Sequence, residues 1–126
     1  MKARETAVRL KRFAAEEKAR KVAGLETMIR EFENMSADLD RQIESEEART
    51  GIKDPHHFSY STFAKSANLR RENLVASIDE LRAKLAAAQR ERSDADEQLT
   101  RAMAPEARET LPRRRRSDQG RSMALR

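Results

Sequence analysis

Apolar residues recur at a spacing of seven along the first part of the chain, in two rows that are offset by three residues. The first row is Val8, Ala15, Val22, Ile29, Ser36 and Ile43, and the second is Leu25, Phe32 and Leu39. This 3-4 alternation is typical of the apolar seam of a coiled-coil helix. Residues 1–49 contain no Pro and a single Gly, Gly24, through which we expect the helix to continue. The pattern predicts one long helix over about residues 3–49.

A break in the pattern follows, over about residues 50–60. The segment Thr50-Gly51-Ile52-Lys53-Asp54-Pro55 places a Gly where a helix commonly ends and an Asp-Pro step where a new one can start. Ser59, Ser61 and Thr62 are alternative N-caps for a second helix. A turn between two helices is therefore expected here.

The apolar stripe resumes after the break and continues as far as Ala104-Pro105, which predicts a second helix over about residues 61–103. Its seam positions are Ala64, Ala67, Arg71, Leu74, Ile78, Leu81, Leu85, Ala88, Arg92, Ala95, Leu99 and Ala102. A turn centred on Pro55 pairs Ile43 with Ala67 and Ile29 with Leu81, so seam positions of one helix meet seam positions of the other. The predicted fold class is all-α: two helices, each about 70 Å long, form an antiparallel coiled-coil hairpin over residues 1–103.

The predicted seam is unevenly filled. Lys18 is expected to face Arg92, and the layers near the two helix termini hold small residues such as Ala15 and Ala95. We expect this open end to fray. Met28 and Met35 lie beside the seam and are expected to widen the core.

Composition removes several classes of function. The chain has no Cys, so disulfide frameworks, thiol nucleophiles and Cys-based zinc sites are excluded. Its longest apolar runs, such as residues 85–88, are far shorter than a membrane span, and no secretory signal is recognisable at the N-terminus, so a cytoplasmic protein is expected. There is no Gly-rich phosphate loop and no catalytic constellation. We predict a protein that is not an enzyme and takes no cofactor.

The net charge of +5 is concentrated at one end of the chain. Residues 104–126 hold seven Arg against Glu106, Glu109 and Asp118, a net charge of +4, whereas residues 1–103 hold 20 basic and 19 acidic side chains. The segment 104–126 has no face to bury and is predicted to be a disordered Arg-rich tail. Its Arg113–Arg116 run has no interleaved aromatic residues, so specific nucleic-acid binding is not the expected function.

Two features of the turn have a structural and a functional interpretation. His56-His57 is the only His pair, and without obvious further ligands it is read as a solvated turn rather than a metal site. Phe58, Tyr60 and Phe63 are three of the five aromatic residues. They either plug the turn of the hairpin or form a surface that docks a partner. Leu10 and Phe13 form a second candidate patch near the N-terminus.

Several short stretches resemble the bacterial flagellar export protein FliJ family over about residues 1–103. They are Arg9-Leu10-Lys11-Arg12-Phe13, Glu17-Lys18, Asp54-Pro55, His57-Phe58, Tyr60-x-x-Phe63 and Arg70-Arg71-x-Asn73-Leu74. The resemblance implies an antiparallel two-helix coiled coil, similar to the rotor stalk of rotary ATPases. It also implies a soluble component of the flagellar type III export apparatus that binds the hexameric export ATPase, promotes its activity, and links it to the export gate and to export chaperones.

The same resemblance implies two binding sites. The strip that docks on the cytoplasmic part of the export gate falls on Phe63, Ala67, Arg70 and Leu74, and Arg70 stands where the family pattern favours an apolar residue. The end that enters the ATPase ring carries Arg9, Leu10, Lys11, Arg12 and Phe13. Localisation at the cytoplasmic face of the inner membrane, through the apparatus only, follows from the same resemblance.

Two other functions compete with this one. The chain can be read as a generic coiled-coil scaffold, or as the stalk of another secretion system, because a heptad seam alone does not identify a partner. Binding of nucleic acid through the Arg-rich tail is a third hypothesis, which a salt titration separates from the others.

Overall fold

The computed structural model describes residues 2–104, which form two helices joined by a turn. Helix α1 spans Lys2–Thr50 and helix α2 spans Thr62–Met103, against predicted ranges of about 3–49 and 61–103. The helices pack as an antiparallel hairpin, which confirms the predicted fold class. The predicted tail at 104–126 lies outside the described residues except for Ala104. The described chain separates into two compact units, one made of residues 2–16 and 93–104 and the other of Glu17–Arg92.

The unit Glu17–Arg92 holds two apolar clusters along its seam. Ile29, Ile78 and Leu81 form the first cluster, against which Leu25, Phe32 and Leu85 pack. Leu39, Ile43 and Ala67 form the second, with Leu74 packed against it. Ile29 therefore meets Leu81 and Ile43 meets Ala67, which is the register predicted from the turn.

An ion pair stabilises the seam layer of this unit in which Lys18 was predicted to face Arg92. Lys18 is half-buried, and its ammonium donates to Glu91 Oε1 at 3.2 Å, while Arg92 is exposed. The Lys18 ammonium lowers the pKa of Glu91, and the neighbouring Lys21 acts in the same direction. The sequence predicted that Lys18 would face Arg92, but in the structure Lys18 pairs with the carboxylate of Glu91, one residue before Arg92.

In the unit formed by residues 2–16 and 93–104, Ala15 is the buried residue and Val8, Ala95, Leu99 and Ala102 are half-buried. One hydrogen bond between the helices runs from Lys11 Nζ to Gln98 Oε1 at 2.8 Å. The small side chains predicted for this end therefore line its seam.

Backbone conformation and capping define the turn. Gly51 has φ of 77°, a conformation that other residues adopt only with strain, and its N–H donates to the Glu47 carbonyl at 2.8 Å. Of the three predicted N-caps, Ser61 is the one in place, because its hydroxyl accepts a hydrogen bond from Ala64 N–H at 3.2 Å.

Candidate functional site

Tyr60 is the plug of the hairpin turn. Tyr60 is 6% exposed, and its hydroxyl donates a hydrogen bond to Glu47 Oε2 at 2.7 Å. The Tyr60 hydroxyl oxygen also accepts a hydrogen bond from Asn68 Nδ2 at 2.9 Å. The hydrogen bond to the Glu47 carboxylate is the largest cause of a raised Tyr60 pKa, since ionised phenol would lose it. Asn68 also donates to the carbonyl of Ala64 at 2.9 Å, so one side chain ties the plug to the first turn of α2.

The other two aromatic residues of the predicted patch face solvent. Phe58 is 93% exposed and stacks on His57, with ring centroids 4.7 Å apart, and Phe63 is 51% exposed. His57 Nδ1 accepts a hydrogen bond from Ser59 N–H at 3.0 Å, and Asp54 Oδ1 accepts one from His56 N–H at 2.9 Å. The His57 imidazole and the Asp54 carboxylate thus shape the turn. Within residues 2–104, no cluster of three or more His, Asp or Glu side chains is arranged to hold a metal ion.

A second polar anchor lies beside Tyr60. Glu46 accepts hydrogen bonds from Arg49 Nη2 at 2.7 Å and from the Ser61 hydroxyl at 2.5 Å. The Arg49 guanidinium, followed by Ser61, lowers the pKa of Glu46 from 4.5 to about 2. The N-cap of α2 is therefore fastened to the last turns of α1 by a carboxylate that stays ionised down to low pH.

The predicted gate-docking strip divides between surface and core. Phe63 and Arg70 are exposed, whereas Ala67 is buried beside Leu39 and Ile43, and Leu74 packs against that same cluster. Ala67 is unable to contact a partner while the hairpin is closed, because its methyl group is covered by α1. Only Phe63 and Arg70 present most of their side chain to a partner.

The predicted ring-binding strip is largely on the surface. Leu10 and Phe13 are 63% and 57% exposed, and as residues three apart they lie on one face of α1. Arg9 and Arg12 are exposed and have no ion-pair or hydrogen-bond partner among residues 2–104. Lys11 also lies at the surface, but its ammonium is held by Gln98. Arg9, Leu10, Arg12 and Phe13 together form a surface that we call the basic apolar patch.

The two long edges of the seam differ in chemistry over residues 28–47 of α1 and the facing residues 60–82; further from the turn, Lys21 pairs with Glu91 at 3.4 Å on the edge that carries Met28. On one, which we call the polar edge, Arg82 Nη2 donates to Glu33 Oε2 and Arg71 Nη1 to Asp40 Oδ1, both at 2.6 Å, and the Tyr60–Glu47 bond follows further along. Glu33, Asp40 and Glu47 are spaced by seven, as expected for positions that flank a coiled-coil seam. These contacts bind one helix to the other along this edge.

The opposite edge, which we call the open edge, carries Met28, Met35 and Gln42 on α1 and Phe63, Arg70 and Ser77 on α2. Met28 and Met35 are 44% and 48% exposed, so the expectation that they widen the core is wrong. Each sits one position outside the seam, and no third element covers them among the described residues. A shallow groove follows this edge between the helices. Phe32, Leu39 and Leu74 line its bottom, and Asp38 and Arg70 line its two sides.

Sequence patterns missed the network around Tyr60. Glu47 and Asn68 are polar residues without a recognised motif, and they become partners of Tyr60 only because the turn folds the phenol back between the helices. The spacing of seven between Asp40 and Glu47 was the one available signal for the polar edge.

Comparison with known proteins adds no identification, since no family model, curated protein or solved structure matches the chain. Neither helix, over the described residues, is long and apolar enough to cross a membrane.

Proposed function

We propose that this chain is the stalk component of the flagellar type III export apparatus. In this role it binds the hexameric export ATPase, promotes its activity, and links it to the export gate and to export chaperones at the cytoplasmic face of the inner membrane. The observation that carries the proposal is an antiparallel two-helix hairpin in which Asp54-Pro55, His57-Phe58 and Tyr60-x-x-Phe63 of the FliJ resemblance lie in the turn and at the start of α2. By the same resemblance, a hairpin of this kind is similar to the rotor stalk of rotary ATPases.

Contact with the ATPase ring is assigned to the basic apolar patch of Arg9, Leu10, Arg12 and Phe13. Exposed Leu and Phe side chains beside unpaired Arg residues suit a partner surface that combines apolar pockets with carboxylates. Contact with the export gate is assigned to Phe63, whose exposed ring is the type of side chain that anchors interfaces.

The deciding experiment measures ATP hydrolysis by the export ATPase encoded with this chain. Addition of the full chain is expected to stimulate hydrolysis, and deletion of residues 1–13 is expected to abolish stimulation. Since the deletion also removes the Lys11–Gln98 hydrogen bond, a double variant Leu10→Ala, Phe13→Ala tests the same surface with the hairpin intact. Unchanged stimulation by the double variant contradicts the assignment of this patch, and no stimulation by the full chain contradicts the proposed function.

Gate docking is tested separately by pull-down with the cytoplasmic domain of the gate. Phe63→Ala is expected to weaken binding while the helix signal in circular dichroism stays constant. Leu69→Ala is the matched control, because Leu69 is an equally exposed apolar residue of α2 outside the strip. Equal binding by the two variants would return Phe63 to a purely structural role.

A further inference from the structure

A cation stands inside the apolar seam of the unit Glu17–Arg92. Arg71 lies four residues after Ala67 and three before Leu74, and both of these neighbours belong to the second apolar cluster. The three residues therefore share one face of α2, the face that meets α1. The Arg71 side chain is 35% exposed, so most of it is removed from water at a position where the pattern of the seam calls for an apolar residue.

Two hydrogen bonds hold the Arg71 guanidinium. Nη1 donates to Asp40 Oδ1 across the seam at 2.6 Å, and Nη2 donates to Asn68 Oδ1 on the same helix at 2.8 Å. The Asn68 amide also donates to the Tyr60 hydroxyl, which donates to Glu47. This series of hydrogen bonds begins and ends on α1 and passes through α2 and the turn. The charge in the seam is therefore compensated within the hairpin.

A second cation of the seam is arranged in the same way. Lys18 lies seven residues before Leu25 on α1, is half-buried, and donates to Glu91 on α2 at 3.2 Å. Arg71 lies seven residues before Ile78 on α2. Because the helices are antiparallel, the two cations lie at opposite ends of the first apolar cluster. That cluster is therefore bordered on both sides by a cation that a carboxylate of the other helix neutralises.

The number of helices that can share this seam depends on where its cations end. In a pair of helices both charged groups reach an edge of the seam, where water and a partly exposed carboxylate solvate them. In a bundle of more helices the same positions point towards the centre, where removal of an ionised group from water is costly. A single polar residue at a seam position can select the oligomeric state of a coiled coil. We propose that Arg71, supported by Lys18, is a specificity element that restricts this seam to two helices and so keeps the chain a monomeric hairpin. The proposal does not depend on the export function.

Sedimentation equilibrium of the full chain tests the proposal. The unchanged chain is expected to remain a monomer up to about 200 µM, and Arg71→Leu is expected to self-associate with a Kd below about 20 µM, at least a tenfold difference. Arg90→Leu is the matched control, because it loses the same charge and gains the same side chain at an exposed position of α2 outside the seam, and it is expected to stay monomeric. Association of the unchanged chain below about 200 µM, no association of Arg71→Leu below about 20 µM, or equal association of both Leu variants would overturn the proposal.

Two further variants separate the charge of Arg71 from its packing. Arg71→Lys keeps a cation in the seam and is expected to stay monomeric. Arg71→Met removes the charge with an unbranched side chain that adapts to its surroundings, so it is expected to associate as Arg71→Leu does. Circular dichroism is expected to show the helicity of the parent chain in all of these variants. Association of Arg71→Lys, or a helical but monomeric Arg71→Met, refutes the role of the charge. Loss of helicity in both Arg71→Leu and Arg71→Met also refutes it, because Arg71 is then required for the fold itself rather than for the number of helices.

Discussion

Replacement of Tyr60 by Phe removes one oxygen atom from the turn and leaves the buried ring in place. The lost oxygen donates to Glu47 Oε2 at 2.7 Å and accepts from Asn68 Nδ2 at 2.9 Å. Asn68 keeps its second hydrogen bond, to the Ala64 carbonyl, so its amide group retains a partner. The change therefore removes two hydrogen bonds, and the charge-assisted one, to Glu47, is the one that links the turn to α1.

The expected loss follows from the environment of that bond. A hydrogen bond to a charged group contributes about 1.5–3 kcal/mol, and the lower end applies here because Glu47 is only half-buried and regains water. We expect the Tyr60→Phe variant to lose about 1.5 kcal/mol of unfolding free energy. For a chain of this size that loss corresponds to a decrease in Tm of about 6–12 °C.

Urea unfolding followed by circular dichroism at the helix band measures this loss, and Phe58→Ala is the control. Phe58 is almost fully exposed, so its truncation is expected to change the unfolding free energy by less than about 0.5 kcal/mol. Alkaline pH gives a second measurement. The Tyr60 pKa is raised in the folded chain, so the contribution is complete below pH 10 and disappears as the pH rises through the folded value. Equal stability of Tyr60→Phe and Phe58→Ala, or an identical alkaline decline in the parent and Tyr60→Phe, would refute the reasoning.

Three further predictions concern the turn and the helices. Gly24→Ala is expected to stabilise the chain by about 0.5–1 kcal/mol, because the added methyl group has open space around it and Ala favours the helix. Gly51→Ala is expected to destabilise the chain by about 1 kcal/mol, because residue 51 has a positive φ. Ala64→Leu is expected to cost about 1–3 kcal/mol, since Ala64 has no exposed surface; all three variants are measured by urea unfolding. Glu46, which Arg49 holds at a pKa of about 2, stabilises the fold fully above pH 4.5 and progressively less as the pH falls to about 2, so Glu46→Gln is expected to flatten the acid limb of a Tm-against-pH curve.

Each of these predictions has a result that contradicts it. Equal effects of Ala at the two Gly positions would show that φ at Gly51 does not matter. A neutral Ala64→Leu would mean that the helices separate easily beside the turn. If the Tm of Glu46→Gln falls with decreasing pH as steeply as that of the parent chain, other carboxylates cause the acid sensitivity.

The heptad pattern was sufficient for the architecture. In an antiparallel hairpin the contacts repeat along two helices, so periodicity, the Gly51 stop and the length of the break together define which layers meet. Ile29 with Leu81 and Ile43 with Ala67 follow from that arithmetic, and the structure confirms both. The Tyr60 plug was one of two open interpretations, since the sequence does not show which ring of an aromatic cluster turns inward.

Surface chemistry depends on distances that only the tertiary structure provides. Positions on the two sides of a seam have the same periodicity, so the sequence alone determined the seam but not the difference between its edges. Folding brought Asp40 to Arg71 and Glu33 to Arg82 on one edge, and left Met28 and Met35 in solvent on the other. Long side chains from separate helices decide these contacts, and their reach and direction have no signature in a seven-residue repeat.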